Sequence, residues 1–104
     1  MGFPELGKVG LYAIQTQPGL VKFGRTETCL TQRIIHHIRN MAGLGMAAPP
    51  FAWVEHPWPR KAERDLKRRL KRSGFEQGAT LESYYIGWDV AKRMLAAVAD
   101  REFE

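Results

Sequence analysis

Tyr12, Lys22, Arg33, His37 and Glu63 are residue types that together could cleave a phosphodiester. Hydrolysis of that bond needs a group to take a proton from the attacking water and a cation near the charge that develops on the phosphate. It usually also needs a divalent metal held by carboxylate oxygen. Taken singly, each residue has a plainer role. Tyr12 can be a strand aromatic and Lys22 its snorkelling neighbour, Arg33 and His37 a solvated helix flank, and Glu63 the i,i+4 partner of Lys67. Only their combination points to chemistry, so what matters is whether local structure brings them together.

Residues 9–14 and 20–24 are rich in Val, Leu, Ile, Tyr and Phe and flank QTQPG, whose Pro-Gly marks a turn. A hairpin with a five-residue loop pairs Ile14 with Leu20 and puts Tyr12 directly opposite Lys22, on the same face. Further on, Leu30, Ile34, Ile38 and Met41 recur at helical spacing and predict a first helix. Thr28 or Thr31 is a candidate cap for its start, and Gly43 or Gly45 for its end. Arg33, His37 and Asn40 form a polar line beside that stripe.

MAAPP reads as a break, and FAWVEH at 51–56 as a third strand ended by prolines. A second helix runs from about Pro59 to Arg72 with Ala62, Leu66 and Leu70 as its apolar face and Glu63 at the border. SYYI at 83–86 predicts a short strand. Asp89 is a candidate cap for a last helix to about Ala99, buried through Val90, Met94, Leu95 and Val98. The expected fold is a small α/β (α+β) domain over 1–104, with a central antiparallel three-stranded sheet flanked by helices in the order β-β-α-β-α-(β)-α.

The 104 residues carry 16 Lys and Arg against 11 Asp and Glu, a formal charge of +5 that suits a polyanionic partner. Much of the excess lies in the second helix. There Arg60, Lys61, Arg64, Lys67, Arg68, Arg69, Lys71 and Arg72 surround most of the circumference, so several must face solvent, where they can replace counterions on a nucleic-acid backbone. Arg25 joins them as a candidate nucleic-acid contact. No apolar run approaches the roughly 18 residues of a membrane span. A single cysteine, Cys29, excludes an internal disulfide and a Cys-rich zinc site. With no targeting signal at the N-terminus, cytoplasmic residence is the expectation. His36 and His56 are read as structural or exposed, and Trp53, Trp58 and Trp88 as core.

GLY at 10–12, VKFGRT at 21–26, QRIIHH at 32–37 and AERDL at 62–66 together resemble the GIY-YIG endonuclease superfamily. PGLVKFGRT is the most specific stretch and is closest to the phage-associated branch, in which Lys stands where other members have a second Tyr. The resemblance covers about residues 9–88 and leaves the C-terminal helix, about 89–100, outside. It implies a divalent-metal-dependent endonuclease acting on DNA, double-stranded, with RNA left open. In such enzymes Tyr12 would be general base, Arg33 would contact the scissile phosphate with His37 nearby, and Glu63 would ligate Mg²⁺ or Mn²⁺.

Tyr12 would then need a lowered pKa, with Lys22 either supplying that push or holding the phosphate itself. Glu82 and Tyr84 resemble a Glu-x-aromatic element of the same branch and are secondary candidates. YYIG at 84–87 is a literal YIG in the wrong place and reads as a strand. The Asn common near the end of such domains has no counterpart. The rival expectation is a non-catalytic module that keeps this fold and binds nucleic acid or another partner.

Overall fold

The computed structural model describes residues 7–45, 49–80 and 82–101. Part of the MAAPP break, and the N-terminal stretch read for targeting signals, lie outside the described residues. In chain order the elements are β1 (Gly10–Gln17), β2 (Leu20–Thr26), α1 (Leu30–Gly43), β3 (Phe51–Glu55), α2 (Pro59–Arg72), β4 (Ser83–Tyr85) and α3 (Trp88–Ala99). That order is the expected one, but the sheet has four strands rather than three, arranged β3-β1-β2-β4 with all neighbours antiparallel. The short Ser83–Tyr85 segment joins it by pairing only with Leu20–Lys22 of β2.

The hairpin register also differs. Ile14 pairs with Lys22, and Tyr12 with Gly24, so Lys22 sits diagonally from Tyr12. The strands continue past the expected loop and leave only Pro18-Gly19 at the tip, with Gly19 at φ +80°. Pro-Gly with positive φ at the second position is type II chemistry, whose twist fits a two-residue hairpin poorly. The register slips by one residue between Gln15 and Gln17, a bulge that adds the missing twist. A displacement of two residues keeps Tyr12 and Lys22 on one face while breaking their direct pairing.

Alternation along β1 sends Leu11 and Ala13 to one side of the sheet and Tyr12 and Ile14 to the other. On the first side they pack with Val21, Phe23, the Ala62–Leu66–Leu70 face of α2, and Leu95 and Val98 of α3. On the second side, Tyr12 and Ile14 meet Leu30 and Ile34 of α1, with Ile38 and Met41 half-buried beside them. The sheet is thus a layer between α1 and the α2–α3 pair.

The helix ends depart from expectation in detail. Cys29 is the N-cap of α1 and makes no side-chain cap bond; Thr26 Oγ1 instead accepts the N–H groups of Thr28 and Cys29, each at 3.2 Å. The end of α1 falls at Gly43, as anticipated, with Gly45 at φ +77° just beyond. Gly87 rather than Asp89 caps α3, and Asp89 lies in the first turn, where a carboxylate suits the helix dipole. Among the described residues, no helix is long and apolar enough to cross a membrane.

Candidate active site

Beyond Phe23 the outer edge of β2 has no strand beside it, because β4 stops at Lys22. Side chains from opposite faces of the sheet meet around this open edge. Tyr12 and Arg33 come from the α1 side, Arg25 and Glu63 from the α2 side, and Glu82 from the segment before β4. They line one cleft of about 330 Å³, together with Thr26, Glu27 and Thr28. Strand alternation alone would have separated Tyr12 from Glu63.

Tyr12 reaches the cleft by lying across its own sheet neighbour. A Cβ on Gly24 would fall 2.3 Å from the Tyr12 hydroxyl oxygen and 2.4 Å from Cζ, so only glycine admits the ring there. The phenol is 1% exposed. Its oxygen lies 3.0 Å from His37 Nε2 and accepts Arg33 Nε–H at 3.4 Å. With Arg33 donating, the phenol's own hydrogen is free for His37 Nε2, provided the imidazole carries its proton on Nδ1. Arg33 and His37, one helical turn apart on α1, therefore grip one hydroxyl. The third member of their polar line, Asn40, bonds His36 instead, at 3.3 Å.

Electrostatics run against the lowered pKa expected of Tyr12. Burial pushes its pKa above the usual 10, and the Arg33 hydrogen bond and charge only partly oppose this. The lowered value expected of a free-standing base is therefore not found. His37 moves the other way, down to about 4, first through burial and then through the charges of Lys22, Arg33 and His36. It is a neutral acceptor at physiological pH. Lys22 bears on His37 and pairs with Glu82 at 3.6 Å; it is not the group that perturbs the phenol.

The carboxylates of the cleft are each met by a cation. Glu63, with its side chain 8% exposed, has Oε1 hydrogen-bonded by Arg25 and 3.8 Å from Lys67 Nζ. Glu82 pairs with Lys22, and Glu27 with Arg60 at 3.5 Å. Arg33 is different: among the described residues it forms no ion pair, and its Nε–H is committed to Tyr12. That leaves the Nη atoms of an exposed guanidinium facing the cleft, a fork suited to phosphate oxygens.

Tyr84 does not join this group. It is fully buried on the opposite face, edge-on to Phe23 with ring centroids 6.1 Å apart, because residue parity in β4 sends it toward α2 and α3. Arg60, Lys61, Arg64, Arg68, Lys71 and Arg72 are exposed on α2, whereas Arg69 joins Arg101 at Asp65. Arg60, Arg64, Arg68 and Lys71 recur at four, four and three residues, so they form one line of cations starting beside Glu27 at the cleft. Thr26, Glu27, Thr28 and Gly24 were not identified as site residues from the sequence.

No group of three or more His, Cys, Asp or Glu among the described residues could hold a metal ion. Of the carboxylates lining the cleft, Glu27, Glu63 and Glu82, Glu63 is the one expected to ligate a metal, and one carboxylate with water and substrate oxygens is a donor set that would fit Mg²⁺ better than a softer ion. Both cations address Oε1, so an ion at Glu63 would use Oε2 or compete with Arg25 and Lys67. Comparison with known proteins found no matching family model, no matching curated protein and no matching solved structure.

Proposed function

We propose that the protein is a cytoplasmic endonuclease of GIY-YIG type that hydrolyses phosphodiester bonds in DNA with the help of Mg²⁺ or Mn²⁺. The observation carrying this reading is the convergence of a doubly held phenol, an arginine with no ion pair and a buried carboxylate on one cleft. Arg33 grips the scissile phosphate through its free Nη fork while its Nε holds Tyr12. Tyr12 takes the proton of the attacking water as its own proton passes to His37 Nε2. This relay suits a phenol whose pKa is raised and an imidazole that is neutral and hydrogen-bonded to it. Glu63 would hold the metal ion, which when bound supplies positive charge to the phosphate oxygens and the leaving group. Arg25, which lines the same cleft beside Glu63, would be a second phosphate contact.

A single observation favours a second reading. Arg25 and Lys67 already neutralise Glu63, as they would in a module that binds nucleic acid without cutting it. Supercoiled plasmid incubated with Mg²⁺ or Mn²⁺ separates the two. The enzyme nicks or linearises it; Tyr12→Phe loses this by about 100-fold or more, the usual scale for a proton-transfer group, and Glu63→Ala loses it with the metal site. Wild type that shifts plasmid on a gel yet leaves it intact identifies the binding module.

A further inference from the structure

Trp58, expected in the core, is 52% exposed. Its backbone is nonetheless firmly mounted. The N–H donates to His56 Nδ1 at 2.9 Å and the carbonyl accepts Ala62 N–H at 2.9 Å. Prolines stand on either side, Pro59 being the first residue of α2. His56 is itself 2% exposed, and its Nε2–H donates to the carbonyl of Arg101 at 2.7 Å. A buried histidine therefore anchors the backbone of a residue whose own indole stays in water.

The indole borders a cavity of about 370 Å³ with apolar walls from Val9, Pro57 and Pro59 and charge from Glu27, Arg60 and Lys61. That volume is within the roughly 300–1,000 Å³ of small-ligand pockets. Lys61 Nζ lies 5.6 Å from the ring centroid. A half-exposed aromatic ring with the Lys61 ammonium over one face and Arg60 nearby suits a nucleobase and its phosphate, the base stacking on the ring and the cations neutralising the backbone. Two contacts join this cavity to the cleft: Glu27 lines both, and Arg60 pairs with Glu27. The cation line of α2 starts at the same point.

A base inside an intact duplex has its faces covered by its neighbours and cannot stack on a side chain. We propose that Trp58 is a stacking platform for an unpaired nucleobase next to the phosphate held in the cleft. The preferred substrate is then DNA with a gap, overhang or branch rather than uninterrupted duplex. This rests on the nucleic-acid reading of the cleft, but not on its catalysis.

The test uses the full chain in EDTA with two probes, a duplex carrying a short single-stranded gap that contains 2-aminopurine and the same duplex without the gap. Wild type and Trp58→Phe should quench the aminopurine. Trp58→Ala should lose the quench and bind the gapped probe about 5- to 150-fold more weakly, the range for one base–aromatic stack, with duplex affinity unchanged. Equal binding of the gapped probe by wild type and Trp58→Ala overturns the platform, as does an equal loss for both probes. A change in sedimentation caused by Trp58→Ala also overturns it, since the cavity would then hold a second copy of the chain. Plasmid left uncut beside a Trp58-dependent quench removes the nuclease and keeps the platform; the converse removes the platform alone.

Discussion

Gly24→Ala probes the packing on which the Tyr12 site depends. The added methyl group would lie 2.3 Å from the Tyr12 oxygen and 2.4 Å from Cζ, against ordinary contact from 3.4 Å. Ring or strand must therefore give way by about 1.1 Å, 3.4 less 2.3. The ring has little freedom to do so, being 1% exposed and held by His37 and Arg33. Overpacking of this kind costs about 1–3 kcal/mol. In a domain of this size that lowers Tm by about 4–8 °C per kcal/mol. Alanine in place of an unhindered glycine instead stabilises by about 0.4–1 kcal/mol, so the sign of the change is diagnostic. Gly43→Ala is the control, since nothing lies within 4 Å of its Cβ position and it closes a helix. Thermal melts of both variants, with NMR titration of the His37 imidazole, give two independent readouts. As Tyr12 shifts, His37 gains solvent and its pKa rises from about 4 toward its ordinary 6.5. A Gly24→Ala protein that melts at or above wild type, with an unmoved His37 titration, refutes the packing described.

Two further predictions concern charge. The pKa of His37 is about 4 in the fold against 6.5 ordinarily, so between those values the unfolded chain binds more protons. The stability tied to its neutral form is therefore complete above about pH 6.5 and lost as pH falls toward 4. Chemical denaturation across this window should show a shallower decline for His37→Gln than for wild type, and parallel curves would contradict the burial of the imidazole. On α2, exposed Arg68 and Lys71 lie on the proposed nucleic-acid track. Replacing both with Gln should reduce the slope of log K against log salt by up to about 1.8, near 0.9 per lost phosphate contact. An unchanged slope places the nucleic acid elsewhere.

The helices were legible because their stripes are long and regular. Leu30, Ile34, Ile38 and Met41 repeat at helical spacing over about three turns and Ala62, Leu66 and Leu70 over about two, and both sets pack as the spacing requires. The hairpin was legible as an element but not in register. Gln15, Thr16 and Gln17 are polar and resemble loop, yet they extend β1 because pairing with β2 outweighs composition. Tyr84 was misplaced because a Glu-x-Tyr spacing carries no information about parity, and β4 turns the ring into the core. Trp58 was misplaced because an isolated tryptophan between two prolines has no periodic partners to fix its face. Gly24 could not be recognised at all from one sequence, since its reason is the ring lying across it from another strand.

The electrostatic correction alters how the proposed chemistry is distributed. A tyrosine with a lowered pKa acts as base alone, and Lys22 would be the natural agent of that lowering. Here the phenol is buried and its pKa raised, and Lys22 faces Glu82 and His37. In the proposed chemistry proton acceptance would therefore belong to the pair, with Arg33 stabilising charge on the phenol oxygen and the imidazole receiving the hydrogen. His37 is depressed first by burial and then by the charges of Lys22, Arg33 and His36, so a phosphate bound beside those cations would offset only the part of the shift that their charge contributes. At Glu63, Arg25 and Lys67 both pair with a nearly buried carboxylate, so its charge is already matched within the fold. The free cleft is thus electrostatically closed on itself except at Arg33, and Arg33 is where an anionic substrate would first be held.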